Sequence, residues 1–513
     1  MVLFESALVL ITVAIVLLHL TRRLSIPYPT VLALAGVAVA ALPGAPAIGI
    51  DPSLALALFI APAVFDAAFD FPPRDVRRYW LPLLSLAAIA VVVTTAVVAA
   101  VGVAMAGMPL AAAIALGAIV APPDAAAATA VLGRFSQLPR STVTVLKGES
   151  LLNDAVALLI FSAAVGVMLH PASLGSLAPR LAVAAPGGLL TGCVMGRLAT
   201  WVMPLLYGRL SGAVASFVLA FGTWIVAERL EVSAVLAMVA CGMVVARYAP
   251  AHTPARDRIH VYSVWNTAVF LLNVLAFLLL GLQARAVVQR LAPEALDEAL
   301  RFAGAVLAAV VVTRIVWVML HNVGLRWLYK RRGKRVPSVA QGVLASWCGM
   351  RGLVTLATAL ALPEGFPQRD LIVLSALAVV LGTLVLQGLT LGPLIRLLRF
   401  PPDDSLAREV AQARAELIDA GLARIADRAD EPAVRLRELY AAERDAALQG
   451  HRPRSTQPID ALKRETMIGK RARLAELRAA GAIDDDVFHT LEHELDWADL
   501  AMAPPERFEM DEA

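Results

Sequence analysis

The chain has 513 residues, 59% of them hydrophobic and 17% charged, with a mean hydropathy of +0.72. Soluble globular proteins carry about a quarter charged residues, which excludes an ordinary cytosolic enzyme. The formal net charge of +4 gives no case for nucleic acid. Cys193, Cys241 and Cys348 stand apart in apolar runs, which argues against a disulfide framework or a cysteine zinc site.

The apolar excess is confined to residues 1–400, and residues 401–513 are rich in Arg, Glu and Asp. The sequence therefore predicts an all-α polytopic membrane domain over 1–400 and a helical tail over 401–513. A bilayer-crossing helix needs roughly 20 apolar residues. That criterion gives about thirteen spans, near 3–20, 30–48, 53–71, 80–106, 109–132, 143–169, 178–206, 212–229, 232–248, 262–283, 302–322, 338–361 and 370–398. The first has Glu5 near its start and no basic leader, so it is expected as a retained helix rather than a cleaved signal.

Basic residues mark alternate loops. Arg22 and Arg23, Arg74 to Arg78, Arg134 and Arg140, Arg209, Arg247 to Arg258, Arg326 to Arg335, and Arg396 with Arg399 follow the odd-numbered spans. Cytoplasmic loops carry the excess of Lys and Arg, which predicts an N-terminus outside and the tail inside. Arg285, Arg290 and Arg301 are the exception. They share their stretch with Glu294, Asp297 and Glu298 and could form a surface helix.

Two spans are poor helices. Ala121-Pro122-Pro123-Asp124 interrupts the fifth, and tandem prolines cannot continue a hydrogen-bond ladder. Trp347-Cys348-Gly349-Met350-Arg351-Gly352 puts a charge between glycines in the twelfth. Counted six from the start and six from span eight, the interrupted helices are fifth in each set. Paired interruptions point to an inverted-repeat transporter with its site where the breaks meet; the other reading is two kinked helices in an ordinary bundle.

Ionisable groups deep in apolar spans are costly and face a cavity or a partner. Here they are Asp66, Asp70, Asp124, Glu149, Asp154, Arg314 and Arg351. Asp70 lies near a span end, as Arg314 does in part, so an interfacial position suits them. Asp154 has no such escape. Ser150 lies four residues before it on one helix face, and Glu149 and Asn153 share the adjacent face. Carboxylate, hydroxyl and amide oxygens are hard donors suited to an alkali cation. Asp124 adds a second carboxylate, and the break at Pro123 exposes backbone carbonyls. Burial also favours the protonated form of a carboxyl group, so proton and cation would compete for one site. A carrier that cannot cross empty then exchanges them. Glu149 and Arg351 are expected to pair across the two halves, since each alone is an uncompensated buried charge. The alternative is that Arg351 faces half-helix carbonyl ends.

Gly148-Glu149-Ser150-Leu151-Leu152-Asn153-Asp154 resembles the signature of the cation/proton antiporter superfamily, in the branch of the NhaP-type antiporters and the sodium/hydrogen exchangers. Similar stretches are Phe59 to Asp66, Ala121 to Asp124, Phe270 to Gly281 and Gly349 to Leu356. The resemblance covers about residues 1–400 and implies thirteen helices, an inverted six-helix repeat with two crossed discontinuous helices, a homodimer and elevator-like alternating access. It implies a cation and proton site at Asp154, with Asp124, Ser150, Asn153 and Pro123 around it and Asp66 near it. It further implies a structural ion pair of Glu149 with Arg351, and Asn153 before Asp154 implies electroneutral one-for-one exchange. Na⁺ would be held at Asp154, Asp124 and Ser150; Li⁺ or K⁺ is the alternative. No cofactor is expected, because the ions are cargo. The expected partners are lipid, cation and proton, and the expected place is a bacterial inner membrane. Two departures stand out. The family often has Thr-Asp-Pro at the fifth-helix break, where this chain has Pro123-Asp124-Ala125, and its third-helix acid is often Glu rather than Asp66.

Two other classes suit the sequence less well. An intramembrane aspartyl protease needs a Gly-x-Gly-Asp context, which neither Asp124 nor Asp154 has. A cation channel needs rings of acceptors, and no filter-like motif appears.

Overall fold

The computed structural model describes residues 27–41, 52–133, 137–169, 174–206, 211–290, 293–331, 336–401, 405–448, 458–480 and 485–502, with a few isolated positions besides. Every regular element among them is helical. The chain separates into two units, one ending at Pro401 and the other beginning at Pro402. The expected span 3–20 lies outside the described residues.

The first unit contains α1 (Tyr28–Ala41), α2 (Leu56–Phe69), α3 (Trp80–Ala106), α4 (Leu110–Val120), α5 (Ala125–Leu132) and α6 (Arg140–Leu169). It continues with α7 (Leu174–Val202), α8 (Ser211–Arg229), α9 (Ala234–His252), α10 (Ala255–Gln289) and α11 (Pro293–Arg331). It closes with α12 (Val339–Trp347), α13 (Leu353–Leu360) and α14 (Arg369–Leu398). Seven of the described helices are long and apolar enough to cross a membrane. The fifth and twelfth expected spans are each two short helices, α4 with α5 and α12 with α13. Arg285 and Arg301 do not form a separate surface helix: they extend α10 and α11, whose polar ends outrun the apolar stretches from which spans were judged.

Packing divides this unit into two bundles. The helices α1, α3 to α6 and α11 to α14 and the second half of α10 share one core, which includes Leu116, Phe277, Leu344, Met350 and Ile372. A second core, with Phe65, Trp224, Met238 and Trp265, joins α2, α7, α8, α9 and the first half of α10. Lipid is as apolar as a side chain, so membrane helices gain most where small residues let backbones approach. Gly188, Gly192 and Gly196 put such a stripe on α7: a β-carbon on Gly192 would collide with the Ala237 carbonyl of α9. Outward faces keep large apolar groups exposed, including Leu190, Val214, Val218 and Leu320, as lipid contact requires.

The second unit contains α15 (Ser405–Ala423), α16 (Glu431–Leu448), α17 (Pro458–Ala479) and α18 (Asp485–Met502). α15 pairs with α16 and α17 with α18. Exposed ion pairs such as Arg444 with Asp419 join neighbouring helices.

Candidate functional site

The two breaks meet. Pro122 and Pro123 carry no N–H and crowd the preceding turn, so α4 ends at Val120. In a continuous helix the Asp124 N–H would bond to the Val120 carbonyl. It donates instead to the Met350 carbonyl, at 2.7 Å, in the other break. The Val120 carbonyl thus loses its partner and accepts from Arg351 Nε at 2.8 Å. Each break supplies the hydrogen bond that the other lacks.

Arg351 is 1% exposed and also donates from Nη1 to the Gly349 carbonyl at 2.8 Å. Its backbone N–H donates to Thr383 Oγ1 on α14 at 2.9 Å. It therefore sits among carbonyls at the negative ends of half-helices. The expected pairing of Glu149 with Arg351 does not form. Glu149 bonds in two-pronged fashion to Arg314 of α11, through Nη1 to Oε1 and through Nη2 to Oε2, the latter at 3.0 Å. Arg314 Nη2 donates further to the Ala345 carbonyl near the end of α12, at 3.1 Å. Both residues are buried, at 1% and 4% exposure. α11 crosses beside the second break and delivers its arginine there, while Arg351 is taken up by carbonyls.

The α6 face assembles as its spacing predicts. Asn153 is fully buried, and its Nδ2 donates to the Pro123 carbonyl at 2.9 Å. Its Oδ1 is buried without a hydrogen-bond partner. Asp154, 9% exposed, lies close enough to Asp124 for the two carboxylates to repel each other. Ser150 is one turn before it on the same helix. Asp124 stands at the start of α5, and its carboxylate occupies the space that a β-carbon on Gly352 would take. Glycine is thus required at the start of α13, where that carboxylate comes up against the positive end of the half-helix.

Asp66, on α2, lines a cavity of about 380 Å³ bounded by α2, α7, α8, α9 and α10. Asp70 follows the last turn of α2 and is exposed. Sequence reasoning missed three contributors: Arg314, passed over as partly a span-end residue; Gly352, read only as a helix breaker; and Thr383, an ordinary helical threonine. A buried carboxylate and a buried arginine do announce partners, but not which ones.

Two broken helices that satisfy each other's backbone, with Asp124 at one break and the buried Asp154 beside it, are an arrangement that suits a membrane transporter. Comparison with known proteins makes this specific. Residues 8–397 match the model of the transmembrane sodium/hydrogen exchanger family. The chain is 30% identical to a protein named as an uncharacterised Na⁺/H⁺ exchanger of Mycobacterium tuberculosis, over 95% of this chain and 94% of that one. It is also 30% identical to a sodium, potassium, lithium and rubidium/H⁺ antiporter of Bacillus pumilus, over 71% of this chain but only 57% of that protein. The Na⁺/H⁺ antiporter NhaS2 of Synechocystis is 27% identical, with coverage of 82% and 75%. The fold is that of the sodium/proton antiporter MjNhaP1 of Methanocaldococcus jannaschii, with a TM-score of 0.59 at 18% identity over 78% of this chain and all of that one. The chain belongs to the sodium/hydrogen exchanger family, whose members exchange cations for protons across membranes.

Proposed function

We propose that this protein exchanges one H⁺ for one monovalent cation, Na⁺ first and Li⁺ or K⁺ as alternatives, by competition of the two for Asp154. The observation that carries this reading is the buried Asp154 of α6 beside Asp124 at a helix break. Beside it lie the unpartnered Oδ1 of Asn153 and, one turn away, Ser150. Burying an ionised carboxylate with no counter-charge is costly, so a site holding a proton or a cation moves more readily than an empty one. In this reading Pro123 contributes through its carbonyl, which Asn153 holds in place, and Asp66 is the third-helix acid near the pair. The relatives differ in the cations their names carry, which leaves a K⁺-selective antiporter as the second reading.

The resemblance supports the rest of the reading: thirteen spans in an inverted repeat, elevator-type movement of one bundle against the other, and a homodimer. The basic loops support a plasma-membrane protein with its N-terminus outside and residues 401–513 in the cytoplasm. The Glu149–Arg314 pair takes the structural role first expected of Glu149 with Arg351.

The test is proton movement in proteoliposomes when Na⁺, Li⁺ or K⁺ is added. One-for-one competition requires the half-saturating cation concentration to rise about tenfold for each unit fall in pH on the acidic side. A slope near a hundredfold would mean two protons, and no response to any of the three cations would remove the exchange reading. Gly352→Ala is expected to push the Asp124 carboxylate aside and raise the half-saturating concentration roughly ten- to a hundredfold. Unchanged affinity in the folded variant would take Asp124 out of the site.

A further inference from the structure

The half-helix α13 has no cap of its own. A helix leaves its first N–H groups without partners, and the residue at its cap ordinarily offers a side-chain oxygen to the third residue in. α12 does this in both directions. Ser338 Oγ accepts from the Gln341 N–H at 3.1 Å, and the Gln341 side chain accepts from the Ser338 N–H at 2.7 Å. At the same register α13 holds Gly352, which has no side chain to offer. The Asp124 carboxylate fills the space where that side chain would begin. The third residue in is Thr355, so its side chain and the carboxylate stand as Gln341 and Ser338 do in α12.

Thr355 is 1% exposed, and its Oγ1 is buried without a hydrogen-bond partner. Other buried hydroxyls in this chain turn back to the carbonyl four residues before, as Thr223 does to Leu219 at 2.7 Å and Ser346 to Gly342 at 2.8 Å. For Thr355 that carbonyl belongs to Arg351, which lies in the break and outside the helix. Residues three and four apart share a helix face, so Thr355 and Leu356 are the side chains of α13 nearest the Gly352 position. Leu356 packs into the first core, and only Thr355 brings an oxygen. Thr358 has a buried hydroxyl without a partner too. It stands six residues from Gly352, about 9 Å along the axis, and the carbonyl four before it is that of Val354, inside the helix.

We propose that Thr355 Oγ1 is a further ligand of the transported cation, placed beside Asp124 at the start of α13, and that it favours Na⁺ over K⁺. The proposal rests on the exchange reading above and names one more residue of that site. A carboxylate has about four acceptor positions, so Asp124 can keep its neighbours and still meet a cation. A hydroxyl both donates and accepts. It turns a lone pair to the cation, and its proton toward the carboxylate once the cation has left. The two breaks then serve one ion, Asp124 from the first and Thr355 from the second. Coulomb attraction rises as the ion–oxygen distance shortens, so an added hard oxygen is worth more to Na⁺ than to the larger K⁺.

The test reads binding without transport. The full chain in detergent, at alkaline pH where protons compete least, is titrated with Na⁺ and with K⁺ by isothermal titration calorimetry. Thr355→Val keeps the shape of the side chain and removes the oxygen. It is expected to weaken Na⁺ about tenfold and K⁺ about threefold. Thr355→Ser keeps the hydroxyl and should hold Na⁺ within about twofold of the wild type. Thr358→Val, at an equally buried position one turn farther on, should do the same. If Thr355→Val does not fold, Thr355→Ala is read in its place. Unchanged Na⁺ affinity in the folded variant would overturn the proposal, as would an equal loss in Thr358→Val or equal losses for the two cations. Proteoliposome exchange by the wild type separates the two readings: exchange that persists beside unchanged binding in Thr355→Val removes this ligand alone. A wild type that binds neither cation removes the exchange site and its ligand together.

Discussion

Asp154→Asn is expected to reduce cation-driven proton movement to that of protein-free vesicles while leaving the protein folded. The amide has nearly the shape of the carboxylic acid but cannot release a proton or neutralise a cation. Asp154 accepts no hydrogen bond that anchors a neighbouring helix, whereas Asn153 beside it holds the Pro123 carbonyl. Removing a carboxylate from a buried place also removes its desolvation cost, so the unfolding temperature should be equal to or above that of the wild type. The pairing of the two results matters, because lost transport with lost stability would describe a damaged fold. Intact exchange in a folded Asp154→Asn protein would move the site, with Asp124 the next carboxylate to test.

Breaking the Glu149–Arg314 pair should have the opposite profile. Both side chains are buried and joined by two hydrogen bonds. Removing one partner strands the other charge in an apolar core, at a cost of about 3–5 kcal/mol. Glu149→Gln and Arg314→Met are each expected to lower stability by that amount, read from unfolding in detergent. The double substitution should recover much of the loss, since neither charge is then left stranded in the core. Recovery should stop short of complete, because Arg314 also donates to the Ala345 carbonyl. Arg351→Met probes the other arginine and should not be rescued by Glu149→Gln. If Glu149→Gln were instead rescued by Arg351→Met, the partner assigned here would be wrong.

Much of the site could be read from the chain because its parts are local. Ser150, Asn153 and Asp154 lie within a few residues on one helix, and helical geometry alone places them together. The interruptions were equally legible, since tandem proline and a charge between glycines act on their own backbone. What failed was long-range. Glu149 and Arg314 are 165 residues apart, and nothing in either segment distinguishes Arg314 from Arg351 as a partner. The decision lies in the carbonyls that the breaks release, which claim Arg351 first. Helix ends were misjudged wherever a helix such as α11 runs past the apolar stretch into charged residues. Hydropathy measures what lipid accepts rather than where a helix stops.

The exchange of hydrogen bonds between the breaks has a consequence for synthesis. The Val120 carbonyl and its donor on Arg351 are 231 residues apart. A ribosome adds about 5–20 residues per second, so roughly 10–45 s pass between their emergence. Through that interval the early break has no permanent partner, and an unsatisfied carbonyl in lipid is costly. The first half must therefore wait for the second, held by water, by the insertion machinery or by a provisional fold. A chain truncated before Arg351 should consequently be a substrate for membrane quality control rather than a stable half-transporter.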